Sequence, residues 1–407
     1  MDGRGPVVRI DAAEGANLAG APEPLSLYVH FPFCLRRCHY CDFSVARSTR
    51  PPVAEWLTCL EADVRDWFAR TGWRVPLPLE SLFVGGGTPS LLGGEGMEEL
   101  ARLLRRWFDW EEAEVEWTAE ANPSSLSRET CERWRAAGVN RVSVGVQSFD
   151  ERALRWLGRL HDAAEAERAL RRATRAGFEN VNLDLIFGLP AEVDRDWQAE
   201  VTRAIELGVS HVSAYGLSAE PRTPLGRRVE LRRVRLAGEE AYAREYLALA
   251  AALTRAGFEH YEVSNFALPG HESAHNWHYW DGSPYLGLGP SAHTFLPPVR
   301  VWNVYRWDAY RRAASDGAPL REGVERLDPA AAALERVWLG LRTRVGLARH
   351  DPVWRGLKGG GEGGVGVWEA AGWAARENGR VRLTAPGWLR MDELVATLAA
   401  RLPNHGG

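Results

Sequence analysis

The sequence lacks the features that would place a protein in or across a membrane. No apolar run reaches the roughly 20 residues that a membrane-spanning helix needs, so no such helix is predicted. The N-terminal stretch also has no apolar core of the kind found in secretory signals. We therefore expect the protein to work in the cytoplasm.

The sequence also has little net charge. Its 407 residues carry a formal net charge of −4, which gives no general attraction to nucleic acid or to an anionic membrane surface. Arginine-rich stretches at 102–106, 168–175 and 227–235 are typical of solvated helix faces. No nucleic-acid partner is expected.

Cysteine is scarce, but its distribution is uneven. Of five cysteines, Cys34, Cys38 and Cys41 fall within eight positions as C-x3-C-x2-C, just after a short apolar segment. Three thiolates so close together can bind three irons of a cubane cluster and leave the fourth iron open to another ligand. Cys59 and Cys131 fall in helical patterns and are expected to be buried free thiols.

Two other interpretations of this array stay open. It could be a zinc site completed by His30 or His39, or it could be three unrelated core thiols. Zinc sites usually pair cysteines as C-x2-C with a second pair farther along the chain, and no second pair exists here. The pattern therefore favours an iron–sulfur cluster, which also needs a reducing compartment.

Between residues 25 and 215, strand patterns alternate six times with helical patterns. The predicted strands are 25–31, 81–84, 115–119, 141–146, 180–187 and 211–215. Such alternation is typical of βαβ units and a parallel sheet. Six units predict an α/β fold with a partial (β/α)6 TIM-like barrel, in which chemistry collects at the C-terminal strand ends. The cysteine array, a glycine loop at 85–87, Glu120, Gln147 and Asp184 should meet there.

The remainder of the chain has a less regular pattern. We expect a helix at 239–256, one strand at 259–265 and a polar, aromatic loop at 270–298. Helices, a glycine-rich hairpin tip or insertion at 356–366, a strand at 380–384 and a helix at 388–402 predict a winged-helix-like C-terminal domain. The predicted division is a mobile segment 1–24, a barrel 25–270, a connecting region 271–304 and the C-terminal domain 305–407.

Four features near the strand ends could contact a ligand. The glycine loop at 85–88 would let the backbone approach a charged amino-acid group, although a tight turn has the same composition. Glu120 could accept a hydrogen bond from an ammonium group or form a surface salt bridge. Asp184, in an apolar strand, is costly to bury unless it is paired or bound to a ligand. Arg159 is its candidate counter-ion, or a clamp for a carboxylate.

The stretch at 275–280, HNWHYW, places two histidines three positions apart among aromatic residues. A flat apolar macrocycle whose iron needs an axial ligand would fit such a segment, with His275 and His278 as candidate ligands. A packed loop with hydrogen-bonded histidines is the alternative. His293 could lie nearby.

The cysteine array, preceded by a strand and followed by an aromatic residue, resembles the radical S-adenosylmethionine (SAM) superfamily. Eight segments together resemble the family of oxygen-independent coproporphyrinogen III oxidases, and most closely its heme chaperone branch. These segments are 28–43, 82–90, 120–123, 138–149, 157–161, 182–190, 261–266 and 275–280.

Three features separate this sequence from the oxidases. Phe43 stands where the oxidases have a fourth cysteine. The oxidases carry a longer N-terminal extension over the active site than the segment that precedes the first predicted strand here. The H-N-x-x-Y-W motif of the chaperone branch is present as His275, Asn276, Tyr279 and Trp280.

The resemblance implies a [4Fe–4S] cluster held by Cys34, Cys38 and Cys41, with SAM on its open iron. Tyr28 and Tyr40 could pack the adenine of SAM or be plain core aromatics. In the oxidases the positions matching Gln147 and Asp184 contact a second SAM, and whether this chain binds one stays open. The implied SAM contacts are Tyr28, Tyr40, Gly86, Gly87, Thr88, Glu120, Gln147, Arg159 and Asp184.

By the same resemblance, the protein binds heme through His275 or His278 and passes it to heme-accepting respiratory-chain proteins. Contact with the membrane would be peripheral, and the choice between monomer and homodimer stays open. The alternative function is oxygen-independent coproporphyrinogen III oxidation, an activity that members of the chaperone branch lack.

Overall fold

A computed structural model describes residues 18–110, 114–356 and 362–399. Within these ranges, twelve strands form one sheet in the order β7-β8-β6-β5-β4-β3-β2-β1-β9-β10-β11-β12. The strands are β1 Ser26–Phe31, β2 Ser81–Gly86, β3 Glu116–Ala121, β4 Arg141–Gln147, β5 Asn180–Phe187, β6 His211–Gly216, β7 Glu259–Glu262, β8 Asn265–Ala267, β9 Tyr285–Leu288, β10 His293–Leu296, β11 Val299–Asn303 and β12 Arg321–Arg326.

Strands β1 to β6 are parallel neighbours in chain order, so the predicted partial barrel is confirmed. Along the parallel strands, residues that are fully buried in the main core alternate with residues that face inward. The fully buried residues include Val29, Val84, Val142 and Leu183. This alternation gives the strands one apolar face, which packs against the helices and closes the core.

Helices connect the strands and cover their outer face. Those that follow the first six strands are α1 Val53–Thr71, α2 Gly93–Leu104, α3 Arg128–Ala137, α4 Glu151–Leu157, α5 Ala163–Arg175, α6 Trp197–Glu206, α7 Pro224–Glu230 and α8 Glu239–Arg255. The later helices are α9 Ala274–Trp280, α10 Trp307–Asp316, α11 Pro329–Arg342, α12 Glu362–Ala370, α13 Ala385–Trp388 and α14 Met391–Ala399.

Two predictions in the middle of the chain are wrong. The predicted loop at 270–298 contains α9, β9 and β10, and β9 pairs in parallel with β1, Ser26 lying opposite Tyr285. The predicted strand at 259–265 is an antiparallel hairpin formed by β7 and β8. Both errors have one cause: these strands are short and partly polar, so pairing across the sheet defines them rather than a local pattern.

The C-terminal part has its own small core, which includes Val337, Trp354 and Leu383. Three short antiparallel strands, β13 Leu347–Ala348, β14 Ala374–Glu377 and β15 Arg380–Leu383, pack with α11 to α14. This order of helices and a hairpin agrees with the winged-helix-like prediction.

Two details of the C-terminal prediction differ from the structure. Residues 357–361 of the predicted hairpin tip lie outside the described residues, and the segment after them is helix α12. The predicted last helix is two helices, α13 and α14. Residues 1–17 also lie outside the described part of the chain, and the division into domains stays a prediction.

None of the helices in the described ranges combines the length and the apolar character that crossing a membrane would require.

Candidate functional site

A cavity of about 570 Å³, called here the main cavity, opens at the C-terminal ends of the parallel strands. Most of the predicted site residues line it, although they come from six separate segments of the chain. Three do not: Tyr28 lines a neighbouring cavity, and His275 and His278 lie at the other end of the strands. The predicted residues that line the main cavity are Cys34, Cys38, Cys41, Tyr40, Gly86, Gly87, Thr88, Glu120, Gln147, Arg159 and Asp184.

The three thiols of the array are free, half-buried and face this cavity. The Thr88 hydroxyl donates a hydrogen bond to Cys34 Sγ at 3.3 Å, and Arg159 Nη1 lies 3.7 Å from Cys38 Sγ. Burial raises the pKa of the Cys34 thiol to about 11. A cationic guanidinium and a hydroxyl donor beside the sulfurs suit thiolate ligands, so the donor set fits a thiolate-bound metal cluster.

The two histidines of the zinc interpretation are engaged elsewhere. His30 is buried between the Tyr28 hydroxyl, 3.0 Å from Nδ1, and the Ser44 carbonyl, 2.9 Å from Nε2. His39 Nε2 lies 2.6 Å from the Trp156 carbonyl. Among the described residues, no three His, Cys, Asp or Glu side chains are grouped to hold a single metal ion.

The glycine loop is needed for packing as well as for the cavity. Gly86 has a left-handed φ of 108°, and a Cβ there would lie 2.5 Å from the His30 ring. A Cβ on Gly87 would lie 2.6 Å from the Phe33 carbonyl oxygen. The glycines therefore let the loop lie directly on the chain that follows β1, which sets its distance from the cysteine array. The close packing that a tight turn requires is therefore present, and the approach of this loop to a charged amino-acid group stays a prediction.

Two carboxyl groups share the interior of the main cavity. Burial, and then the neighbouring Asp184 charge, raises the pKa of Glu120 to about 7, although the Gly86 N–H donates to Glu120 Oε2 at 3.0 Å. Burial also raises the pKa of Asp184 to about 6, against the hydrogen bond from Asn182 Nδ2 at 2.8 Å. Two acids that resist ionisation side by side provide a site for a cation.

Arg159 and Gln147 frame the opposite wall. Arg159 Nη2 donates to the Gly145 carbonyl at 2.8 Å, and its Nε is buried without a hydrogen-bond partner. That unused donor fits a carboxylate of a ligand better than a structural ion pair with Asp184. Gln147 has a φ of 70° next to a register shift between β4 and β5, a strained conformation that turns its side chain into the cavity.

The prediction missed a polar face that runs the length of the barrel interior. Arg141 and Ser143 on β4, and Asn182 on β5, line the main cavity, and Asn276 of α9 closes it from below. The signal was present in the sequence, because polar residues alternate with valine along β4, which reads RVSVGVQ. The prediction named only residues at the strand ends, because chemistry collects there in barrels of this kind.

Helix α9 closes the N-terminal end of the strands. The side chain of Glu116, at the start of β3, accepts from Ser273 Oγ at 3.0 Å and from the Ala274 and His275 N–H groups at 3.0 and 3.1 Å. His275 is buried, with Nδ1 2.9 Å from Ser81 Oγ and Nε2 2.8 Å from the Tyr279 hydroxyl. His278 Nδ1 lies 3.3 Å from the same serine, and its Nε2 lies 3.3 Å from Glu80.

The sequence of this chain is similar to a known protein family and to named proteins. A family model described as the radical SAM superfamily matches residues 28–204. The heme chaperone HemW of Mycobacterium tuberculosis is 40% identical over 346 residues, which cover 84% of this chain and 87% of that protein. The heme chaperone HemW of Bacillus subtilis is 35% identical over 325 residues, covering 80% and 85%.

Among solved structures, coproporphyrinogen III oxidase (HemN) from Escherichia coli, described as a radical SAM enzyme, is similar with a TM-score of 0.75. The match covers 95% of this chain and 92% of that chain at 22% sequence identity. At this identity the likeness shows a shared fold.

Proposed function

This chain belongs to the HemW family within the radical SAM superfamily, and on that premise we propose that it is a heme chaperone, which binds heme and releases it to an acceptor protein. The observation that carries the proposal is its similarity to HemW proteins over most of its length. Phe43 supports the same choice, because the oxidases that the chain otherwise resembles have a cysteine at that position. Its ring is 62% exposed beside the main cavity.

We infer that Cys34, Cys38 and Cys41 hold a [4Fe–4S] cluster. When bound, such a cluster supplies an iron with an open coordination position on which SAM can be held. Thr88 and Arg159, which contact the sulfurs of Cys34 and Cys38, would orient these two ligands. The Thr88 contact also favours the thiolate form of Cys34 over the thiol, although burial raises the pKa of Cys34 more than this contact lowers it.

The main cavity carries charges that complement SAM, which has both cationic groups and a carboxylate. Glu120 and Asp184 would pair with the cationic side of the ligand, and their proximity to each other makes a bound cation favourable. Arg159 would clamp the carboxylate through its buried, unpartnered Nε. The other proposed SAM contacts are Tyr40, Gly86, Gly87, Thr88 and Gln147, which line the main cavity, and Tyr28, which lines the neighbouring one.

The resemblance to the chaperone branch makes His275 and His278 the first candidates for the iron ligand. The geometry supports His275 least, because both of its ring nitrogens are engaged in hydrogen bonds. His278 is closer to the surface, and its Nε2 faces the exposed side chain of Glu80. Either ligand would require α9 to move away from the strands.

Further parts of the proposal concern partners and location. The acceptors would be respiratory-chain proteins, reached through peripheral contact with the membrane by a protein of the cytoplasm. A homodimer would be one form of the protein. A cluster held by free thiols supports a reducing compartment.

The proposal is tested by anaerobic reconstitution with iron and sulfide, followed by parallel assays on the same preparation. We expect four-iron absorbance, a stable heme complex with a Soret band, and heme transfer to an apo form of a heme-accepting respiratory protein. Replacement of Cys34, Cys38 and Cys41 by alanine should abolish the four-iron absorbance, whereas Cys131→Ala, a buried thiol outside the cavity, should retain it.

The same preparation distinguishes the alternative function. Conversion of coproporphyrinogen III to protoporphyrinogen IX with consumption of SAM, in the absence of a stable heme complex, would replace the chaperone with the oxidase. A protein that neither binds heme nor turns over coproporphyrinogen would contradict both functions.

A further inference from the structure

A second cavity of about 710 Å³, called here the side cavity, lies beside the main cavity. Its floor is formed by residues of β9 to β11, its opposite wall includes Glu335 and Trp338 of α11, and its rim is the segment after the cysteine array. Asp42 and Phe43 line both cavities, so the two are adjacent. Its volume lies within the range of pockets that enclose a drug-sized ligand.

The walls of the side cavity are unusually aromatic. Tyr285 lies 4.7 Å from Tyr279, ring centroid to centroid and edge-on, and 6.1 Å from Phe295 on the neighbouring strand. Trp280 also lines the cavity, and its indole Nε1 is buried without a hydrogen-bond partner. An aromatic lining of this kind suits a planar apolar molecule.

His293, at the start of β10, is the imidazole that faces this cavity with its nitrogens available. Its ring stacks on Trp302 at 6.0 Å with an interplanar angle of 23°, which orients it without using a ring nitrogen. No hydrogen bond to either nitrogen is made by the described residues, in contrast to His275, where both are engaged. A neutral imidazole with a free nitrogen is a common ligand for heme iron.

The two arginines that line the side cavity, Arg300 and Arg222, differ in how far their charge is balanced by acidic side chains. Arg300 is balanced by Glu335 at 2.8 Å and Glu325 at 3.3 Å, so it offers little free charge. At the rim, Arg222 is 75% exposed and only loosely paired with Asp42 at 3.9 Å. A carboxylate at the edge of a bound macrocycle would therefore pair with Arg222.

We propose that the side cavity is the heme site, with the His293 imidazole as an iron ligand and Arg222 as the partner of a propionate. The inference rests on the proposed function, since heme is the cargo it names, and it locates that cargo next to the cluster-binding loop. Phe43, shared by both cavities, would contact the macrocycle on one side and the main cavity on the other.

The first test compares His293→Ala with His350→Ala in the reconstituted full chain. His350 is an exposed histidine that lines neither the main cavity nor the side cavity, so it controls for adventitious coordination by a surface imidazole. His293→Ala should weaken ferric heme binding by about tenfold or more and shift the Soret band, while His350→Ala should match the wild type. Binding of metal-free protoporphyrin IX should be unchanged in both, because it needs no iron ligand.

A second variant tests the cavity independently of the ligand. Leu339→Trp adds a large side chain to the α11 wall, where Leu339 is half-buried, and should weaken heme and metal-free protoporphyrin IX alike. Unfolding curves of each variant establish that it is folded. If wild-type protein binds heme and neither His293→Ala nor Leu339→Trp changes that binding, the proposed heme site is wrong while the chaperone function stands. If His275→Ala or His278→Ala loses heme binding instead, the heme site belongs to α9. If the wild type binds no heme, the proposed function itself fails.

Discussion

At the scale of single residues, Glu120 and Asp184 link the stability of the protein to its ligand. Both carboxyl groups have pKa values above their usual range, about 7 and about 6, because both are buried and because the charge of Asp184 raises the pKa of Glu120 further. An acid whose pKa is raised on folding contributes most to stability below its unfolded pKa. That contribution is lost as the pH rises through its folded pKa. In the absence of a cation, the site therefore destabilises the protein most above pH 7.

A first prediction follows for SAM binding to the reconstituted protein. Affinity should fall about five- to tenfold when the pH drops from 7.5 to 6, because Glu120 takes up the proton that the cationic ligand excludes. Glu120→Gln should bind SAM more weakly at pH 7.5 and show a much flatter profile. Equilibrium titration at several pH values measures both.

The same substitution should act in the opposite direction on the unliganded protein. Glu120→Gln removes the buried charge and can still accept from the Gly86 N–H, so it should be more stable than wild type at pH 8 by about 1–2 kcal/mol, and this difference should disappear as the pH falls below the ordinary Glu pKa of 4.5. Urea unfolding provides the measurement. A variant that is less stable than wild type at pH 8 would contradict the assigned environment of Glu120.

At the scale of secondary-structure elements, α9 shows how a short helix is held by a distant side chain. The helix has seven residues, and isolated helices of that length are not stable in water. Glu116 on β3 accepts three hydrogen bonds at its N-terminus and lies 3.9 Å from the buried Arg141. One carboxylate therefore accepts hydrogen bonds from the first turn of the helix and also places a negative charge beside a buried cation.

Glu116→Gln should destabilise the protein by about 2–4 kcal/mol, because the amide presents N–H groups to N–H donors and removes a negative charge beside the buried Arg141. The amides of Ala274 and His275 should exchange hydrogen faster than in wild type. Glu132→Gln, which breaks an exposed pair with Arg128 on α3, is the control and should cost less than about 0.5 kcal/mol. Equal effects of the two variants would show that Glu116 does not hold α9.

At the scale of the whole molecule, one buried acid connects α1 to the distal part of the main sheet. Asp63 is fully buried and accepts hydrogen bonds from the Gly289 N–H at 2.9 Å, from Asn303 Nδ2 at 2.8 Å and from the Tyr310 hydroxyl at 2.7 Å. It also forms an ion pair with Arg321 of β12. The side cavity depends on this junction, because its floor is formed by the strands that Asp63 holds.

Asp63→Asn should destabilise the protein by about 3–5 kcal/mol, since it leaves the buried Arg321 guanidinium uncompensated. The loss should also weaken binding in the side cavity more than in the main cavity. Asp66→Asn removes the more exposed partner of the same arginine and should cost about 1 kcal/mol or less. Urea unfolding and parallel heme and SAM titrations of the two variants make the comparison.

Local pattern in the sequence was enough to determine six strands with their connecting helices, the position of the thiols and the residues at the strand ends. Each of these depends on periodic apolar residues or on short spacing, which act within a few residues of chain. The cavity that gathers Cys34, Glu120, Arg159 and Asp184 follows from parallel strands, whose C-terminal ends must meet.

Only the tertiary structure decided where the short, partly polar segments after residue 256 belong. The pairing of β9 with β1, the capping of α9 by Glu116 and the burial of Asp63 under β11 and β12 join residues more than 150 positions apart. No local signal encodes such contacts, because a strand of four residues or a helix of seven gains its stability from the partner it packs against. The same contacts engage both ring nitrogens of His275 and leave those of His293 facing an aromatic cavity.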